Sequence, residues 1–308
     1  MKKILLIIGI ILLVLGGLFY YFMNSEKPTQ QSEIKIAATI FPIYDIAKNI
    51  VSDKMDTELI SPPGASPHTF EVTAEQIKKL QNAKIIFAIG HGLDDWILKV
   101  QDALPQAQIK TVSPNIELSE FGQEHEHEEA EEREEEHEHT GIDPHYWLTM
   151  ANAKIIARNI LQEMQNLDPA NREYYEKNYQ NYIQELDDAD KNTHDLLDEI
   201  SSREIITMHT AWSYFSREYG LEVVATFEPF PGQEPSPQYL VELSKATQEH
   251  DIKTIFSEPQ LSNEALIPFL RDLGVTLKIL DPLGGLAERD SYINMMLYNA
   301  QTIHDALK

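Results

Sequence analysis

The sequence predicts an α/β protein of two Rossmann-like lobes, each built on a parallel sheet, joined by a long rigid helix. Three observations predict it. Short apolar runs alternate with helix-patterned segments from residue 33 to residue 112, and the same alternation returns between residues 204 and 281. Between the two series, residues 170–200 hold neither glycine nor proline. Strands separated by helices pair in parallel with both sheet faces covered, since a parallel crossover needs a helix-length connection. A helix of over roughly 40 Å, at ~1.5 Å per residue, serves better as a strut between lobes than as part of one layer. The chain then divides into a leader and linker (1–32), a first lobe (33–166), the linking helix (167–201) and a second lobe (202–308).

The elements follow in order. Residues 33–40 read as a strand, with a helix from Pro42 to about Val51 and a second strand at 57–60. The loop 61–67, with Pro62, Pro63 and Pro67, is stiff and delivers His68 at its end. Thr73 and Gln76 form a capping-box pattern opening a helix to about Asn82. A strand at 84–89, a helix at 93–103 and a short strand at 109–112 complete the first lobe's sheet. Residues 152–166 are helical, and Pro169 opens the linking helix. The second lobe repeats the scheme: strands at 204–208, 221–225, 253–256 and 276–280, and helices from residue 209 to Gly220, at 237–250 and at 263–273. His209, Glu258 and Asp281 thus all lie at strand carboxyl ends, where open α/β sheets bind their ligands.

Composition excludes several classes. Fifty acids against 25 bases give a net charge of −25, which argues against nucleic acid as a partner. The absence of cysteine removes disulfides, thiolate ligands and a cysteine nucleophile together. After Lys2 and Lys3, residues 4–23 are 20 uncharged and mostly apolar positions, a span of roughly 30 Å as a helix. The preceding lysines favour a cytoplasmic amino terminus, so the rest of the chain is expected on the extracytoplasmic face, as periplasmic or cell-surface protein. A cleaved signal peptide is the competing reading, but residues 19–24 offer no small-x-small cleavage site, so an uncleaved membrane anchor is preferred.

Four residues carry the chemistry: His68, His145, His209 and Asp281. Three neutral imidazoles and a carboxylate suit zinc, and d-block ions more generally. Four protein donors leave no open position for an activated water, and the chain has no His-Glu-x-x-His motif, so capture rather than hydrolysis is expected. Residues 123–139 hold ten glutamates, four histidines (His125, His127, His137 and His139) and one arginine. That tract reads as disordered and as a weak auxiliary collector of metal. A purely solvated acidic loop is the plainer alternative. Glu228 and Glu258 read as turn or packing residues, His91 as a loop histidine, and His194, His250 and His304 as solvated.

Several of these stretches, in this order, resemble the metal-binding substrate-binding proteins of bacterial zinc and manganese ABC importers. The matches are Pro63 through Glu71, Asp143-Pro144-His145-Tyr146-Trp147, Phe227-Glu228-Pro229, Gly232-Gln233-Glu234-Pro235-Ser236, Phe256-Ser257-Glu258-Pro259-Gln260 and Leu280-Asp281-Pro282-Leu283-Gly284. The resemblance covers nearly all of residues 34–308 and implies two lobes with the metal in the cleft, held by His68, His145, His209 and Asp281. It implies delivery of Zn²⁺ to an ABC permease and its ATPase. Histidine at the third position, where manganese binders often place glutamate, favours zinc, as does the histidine-rich insertion. A manganese or iron importer component, or a zinc-buffering or adhesin-type surface protein, is the alternative.

Overall fold

The structure, a computed structural model, describes residues 35–120, 141–228, 236–261, 264 and 266–308. The segment 4–23 expected to anchor the chain and the tract 123–139 lie outside the described residues. Among the described residues no helix is long and apolar enough to cross a membrane.

The first sheet contains β1 (Lys35–Ala38), β2 (Asp56–Leu59), β3 (Ala83–Ala88) and β4 (Gln108–Thr111). Between them come α1 (Phe41–Val51), α2 (Ala74–Leu80) and a 3₁₀ helix, Asp95–Ala103. All pairings are parallel, in the order β2-β1-β3-β4. The apolar β1 and β3 take the centre, while the polar β2 and β4 take the half-exposed edges. Thr73 and Gln76 form the expected capping box at α2.

The segment expected as a helix at 93–103 winds as 3₁₀ instead. Asp94, which would cap an α-helix there, turns inward and accepts from Thr39 Oγ1 (2.5 Å), Ile89 N (2.7 Å) and Gly90 N (2.7 Å). Two residues on, the Trp96 indole donates to Pro67 O at 3.0 Å. Two such anchors hold the first turn tight against the sheet.

Next, α3 (Met150–Leu167) leads through a 3₁₀ turn, Pro169–Asn171, into α4 (Arg172–Leu197), a single helix of 26 residues. Its buried positions Tyr175, Tyr179, Tyr182, Leu186, Ala189, Thr193 and Leu197 recur every three or four residues, one stripe along its length. The linking helix is therefore shorter than the uninterrupted stretch of sequence, because Pro169 starts a tighter turn before it.

The second sheet repeats the first. It comprises β5 (Glu204–Thr207), β6 (Glu222–Thr226), β7 (Thr254–Ser257) and β8 (Thr276–Ile279), with α5 (Ser213–Tyr219), α6 (Pro237–Glu249) and α7 (Leu266–Leu273) between them. All strands are parallel in the order β6-β5-β7-β8. In both sheets the chain reverses direction around the first strand, so the crevices β1/β3 and β5/β7 are the switch points.

A final helix, α8 (Tyr292–Leu307), is absent from the sequence expectations, although Ser291 caps it and Tyr292, Met295, Met296, Ala300 and Ile303 recur at helical spacing. It ties both halves together. The Tyr292 hydroxyl donates to Trp147 O and Thr149 O, and Asn299 brackets the backbone N–H and carbonyl of Asp281. His304, expected in solvent, is only 7% exposed, because it faces the packed side of this helix. One apolar core runs through both halves, from Ile36, Ile43 and Trp147 past Tyr182 and Leu186 to Trp212, Phe215 and Met295.

Asp45 on α1 accepts from Tyr292 N at 2.9 Å. Burial pushes its carboxyl up to about 6, against the lowering by the Tyr292 N–H and Lys48. A carboxyl raised in the folded state favours folding while protonated; that contribution is complete below about pH 4 and is lost as the pH rises through about 6. Asp45→Asn is expected to stabilise the chain by on the order of 1–2 kcal/mol at pH 7 and not at pH 4. Urea unfolding at the two pH values checks this.

Candidate metal centre

His68 ends the proline-rich loop after β2. Gly64 turns with φ +84°, Ala65 N donates to Pro62 O (3.1 Å), and Thr69 N to Ser66 O (3.3 Å). The loop also leans on the second half of the molecule. A side chain at Gly285 (φ +79°) would sit 2.8 Å from Pro63 Cγ and 3.0 Å from the Phe41 ring, so only glycine allows this approach.

His145 follows Asp143-Pro144. One oxygen of Asp143 takes both the His145 backbone N–H (2.9 Å) and the ring Nδ1 (2.8 Å), while Ser213 donates to the other. The 3₁₀ turn Tyr146–Leu148 follows, and Trp147 reaches across to Pro282 O at 2.7 Å. His209 lies two residues beyond β5. Its Nδ1 meets Glu258 Oε1 at 2.7 Å, and the Trp212 indole donates to the same oxygen at 3.1 Å. Glu258 lies one residue beyond β7, and β5 and β7 are neighbours, so this contact spans the second sheet's switch point.

Three of the four expected ligands come together. The donor atoms of His68, His145 and His209 all lie within 4.8 Å of one another, with His68 Nε2 and His145 Nε2 3.3 Å apart. His145 and His209 are 2% and 5% exposed, whereas His68 lies nearer solvent. An ionised carboxylate only accepts, so the hydrogen bonds to Asp143 and Glu258 place the protons of His145 and His209 on Nδ1. Nε2 is then the unprotonated nitrogen of each, and that of His209 is buried without a hydrogen-bond partner. Two tetrahedral zinc ligands stand about 3.4 Å apart, given bonds of about 2.1 Å. The 3.3 Å between His68 Nε2 and His145 Nε2 is close to that separation and would suit two ligands of one cation.

Burial alone would lower the basicity of His209, but the bonded Glu258 carboxylate, with Asp143 and Glu228 farther off, raises it above the ordinary value of 6.5. Asp281 is not among the converging donors. It is fully buried; its Oδ1 accepts from Gln260 (2.8 Å), Leu283 N (3.0 Å) and Gly284 N (3.0 Å). Its Oδ2 accepts no hydrogen bond and lies 3.5 Å from the Arg289 guanidinium. Pro282 and Leu283, which follow it, line the cleft with His68, His145, His209 and Glu258.

Sequence reasoning passed over Asp143 and Glu258 as partners of the histidines. Asp143 was within reach as the residue two before His145. Glu258 needed the strand order, since 49 residues separate it from His209. His125, His127, His137 and His139 lie outside the described residues.

Comparison with known proteins identifies the family. The family described as ZnuA, zinc-uptake complex component A, periplasmic, matches residues 36–306. The high-affinity zinc uptake system protein ZnuA of Bacillus subtilis (strain 168) is 33% identical over 292 residues, 92% of this chain and 91% of its own. Zinc-binding protein AdcA of Streptococcus pyogenes serotype M3 (strain ATCC BAA-595 / MGAS315) is 26% identical over 316 residues; the match takes in 98% of this chain but only 61% of that protein's length. A crystal structure of ZnuA has a TM-score of 0.77 at 27% identity, over 89% of this chain and 98% of that one. With the family matched from the first strand to the last helix, the chain belongs to the zinc-uptake complex component A family.

Proposed function

We propose that this chain captures Zn²⁺ outside the cytoplasm and delivers it to the permease and ATPase of an ABC importer. The carrying observation is the convergence of three imidazole donors, two of them held in the metal-binding tautomer by buried carboxylates. An all-imidazole core is softer than one with a carboxylate in the third position and favours zinc over manganese. Asp281 is the proposed fourth donor, through Oδ2 alone, since Oδ1 already accepts three hydrogen bonds. Four protein donors give storage and release rather than catalysis, so no enzymatic step is assigned.

Residues 4–23 are the proposed membrane anchor, and retention of the full chain in carbonate-washed membranes tests that. His125, His127, His137 and His139 are the proposed auxiliary collector, which raises zinc concentration beside the cleft without forming the tight site.

The testing experiment is a competitive titration of the chain with zinc and manganese against a chelator of known affinity. One tight zinc equivalent that manganese does not displace supports the proposal. Tight binding of manganese in preference to zinc, or no tight equivalent, overturns it. Glu258→Gln is expected to weaken the tight zinc equivalent by about 10–100-fold, as loss of a group orienting a metal-bound histidine does. The same titration reads this out.

A further inference from the structure

Among the described residues a second group of side chains presents metal donors within 4.8 Å of one another: Asp190, His194 and Glu218. None of its three residues lines the cleft. Asp190 and His194 are one helical turn apart on α4, and Glu218 projects from α5 of the second lobe. We propose that these three residues form a second divalent-cation site, for a zinc-class ion, that bridges the linking helix and the second lobe.

The donor types and their settings carry this. His194 Nε2 lies 3.9 Å from Asp190 Oδ1, too long for a hydrogen bond and close to the about 3.4 Å that separates two ligands of a tetrahedral zinc ion. Both groups are positioned by Tyr219. Its hydroxyl donates to Asp190 Oδ1 at 3.0 Å, and its ring meets the His194 ring edge-on, with centroids 4.9 Å apart. The Lys154 ammonium takes the other carboxylate oxygen, Oδ2, at 3.4 Å, and Asp187 at 2.6 Å. Lys154 therefore pairs with Oδ2, and Oδ1, which accepts from Tyr219, keeps one lone pair for a cation.

One imidazole and two carboxylates make a harder and weaker set than the three imidazoles of the cleft. The Asp190 side chain is 18% exposed against 45% for His194, and Glu218 is exposed, so the ion would keep water in its remaining position and exchange readily. A net charge of −25 on the chain raises the local concentration of cations around it. Filling the site would fasten α4 to α5 when zinc exceeds what the cleft holds.

The test follows the imidazole ¹⁵N resonances of the full chain as Zn²⁺ is added beyond the first equivalent, with the His194 signal assigned from His194→Gln. The expected result is a saturable shift at His194 Nε2 that weakens roughly tenfold or more in Glu218→Gln, an exposed substitution that leaves the fold intact. Asp190→Asn should weaken it as well. A His194 signal that does not move, or that moves equally in Glu218→Gln, marks an ordinary surface histidine and overturns the site. The same titration in His209→Ala keeps the two sites separate: the His194 shift persists there even if the cleft proves not to bind zinc.

Discussion

His209→Ala should lower zinc affinity by more than about 100-fold, beyond what loss of an outer partner costs, because it removes one of three converging donors. It should also cost stability without metal. Glu258 is 1% exposed, and its Oε1 would lose its charge-assisted contact to the ring, keeping only the Trp212 indole. A buried carboxylate stripped of its main partner destabilises by about 1–3 kcal/mol or more. Calorimetric zinc titration beside thermal unfolding of the zinc-free variant separates the effects. The double change His209→Ala with Glu258→Gln should recover part of the stability and none of the affinity. Unchanged zinc affinity in His209→Ala would place the tight site elsewhere.

Zinc itself should raise the unfolding temperature by roughly 8 °C at a free concentration about 1,000 times its Kd. That ratio corresponds to about 4 kcal/mol, and a chain of this size gains about 2 °C for each. The shift should depend on pH in a defined direction. Glu258 raises the basicity of His209 above 6.5, so protonated His209 helps the zinc-free fold. That help is fully present below pH 6.5 and is lost as the pH climbs through the raised value. Zinc needs the neutral ring, so its stabilisation has the opposite slope. The difference between zinc-loaded and zinc-free unfolding temperatures should therefore widen from pH 5.5 to pH 8. A gap that stays constant over that interval would remove His209 from the binding equilibrium. Differential scanning fluorimetry at fixed free zinc measures it.

The sequence by itself determined the kind of protein. Apolar runs such as Ile85-Ile86-Phe87 became central strands, and the polar runs 56–59 and 108–111 became edges, because only a central strand is covered on both faces. The stiffness of the loop before His68 and the pairing of Thr73 with Gln76 were also legible, since both act over a few residues. So was the set His68, His145 and His209, through the residue types around each. The carboxyl-terminal helix was equally legible from its apolar spacing, and the expectation simply lacked it.

Other properties needed the tertiary structure. The 3₁₀ winding of residues 95–103 depends on Asp94 reaching Thr39, which lies 55 residues away. Glu258 becomes the partner of His209 only because β7 lies beside β5. Asp281 looked from the sequence like an equal fourth ligand, but its environment gives one oxygen to three hydrogen bonds and leaves the other beside Arg289. Local patterns decide backbone conformation, because propensity, capping and burial act over one or two turns. The charge, tautomer and free lone pairs of a buried group depend on neighbours that only the folded chain brings within about 3 Å.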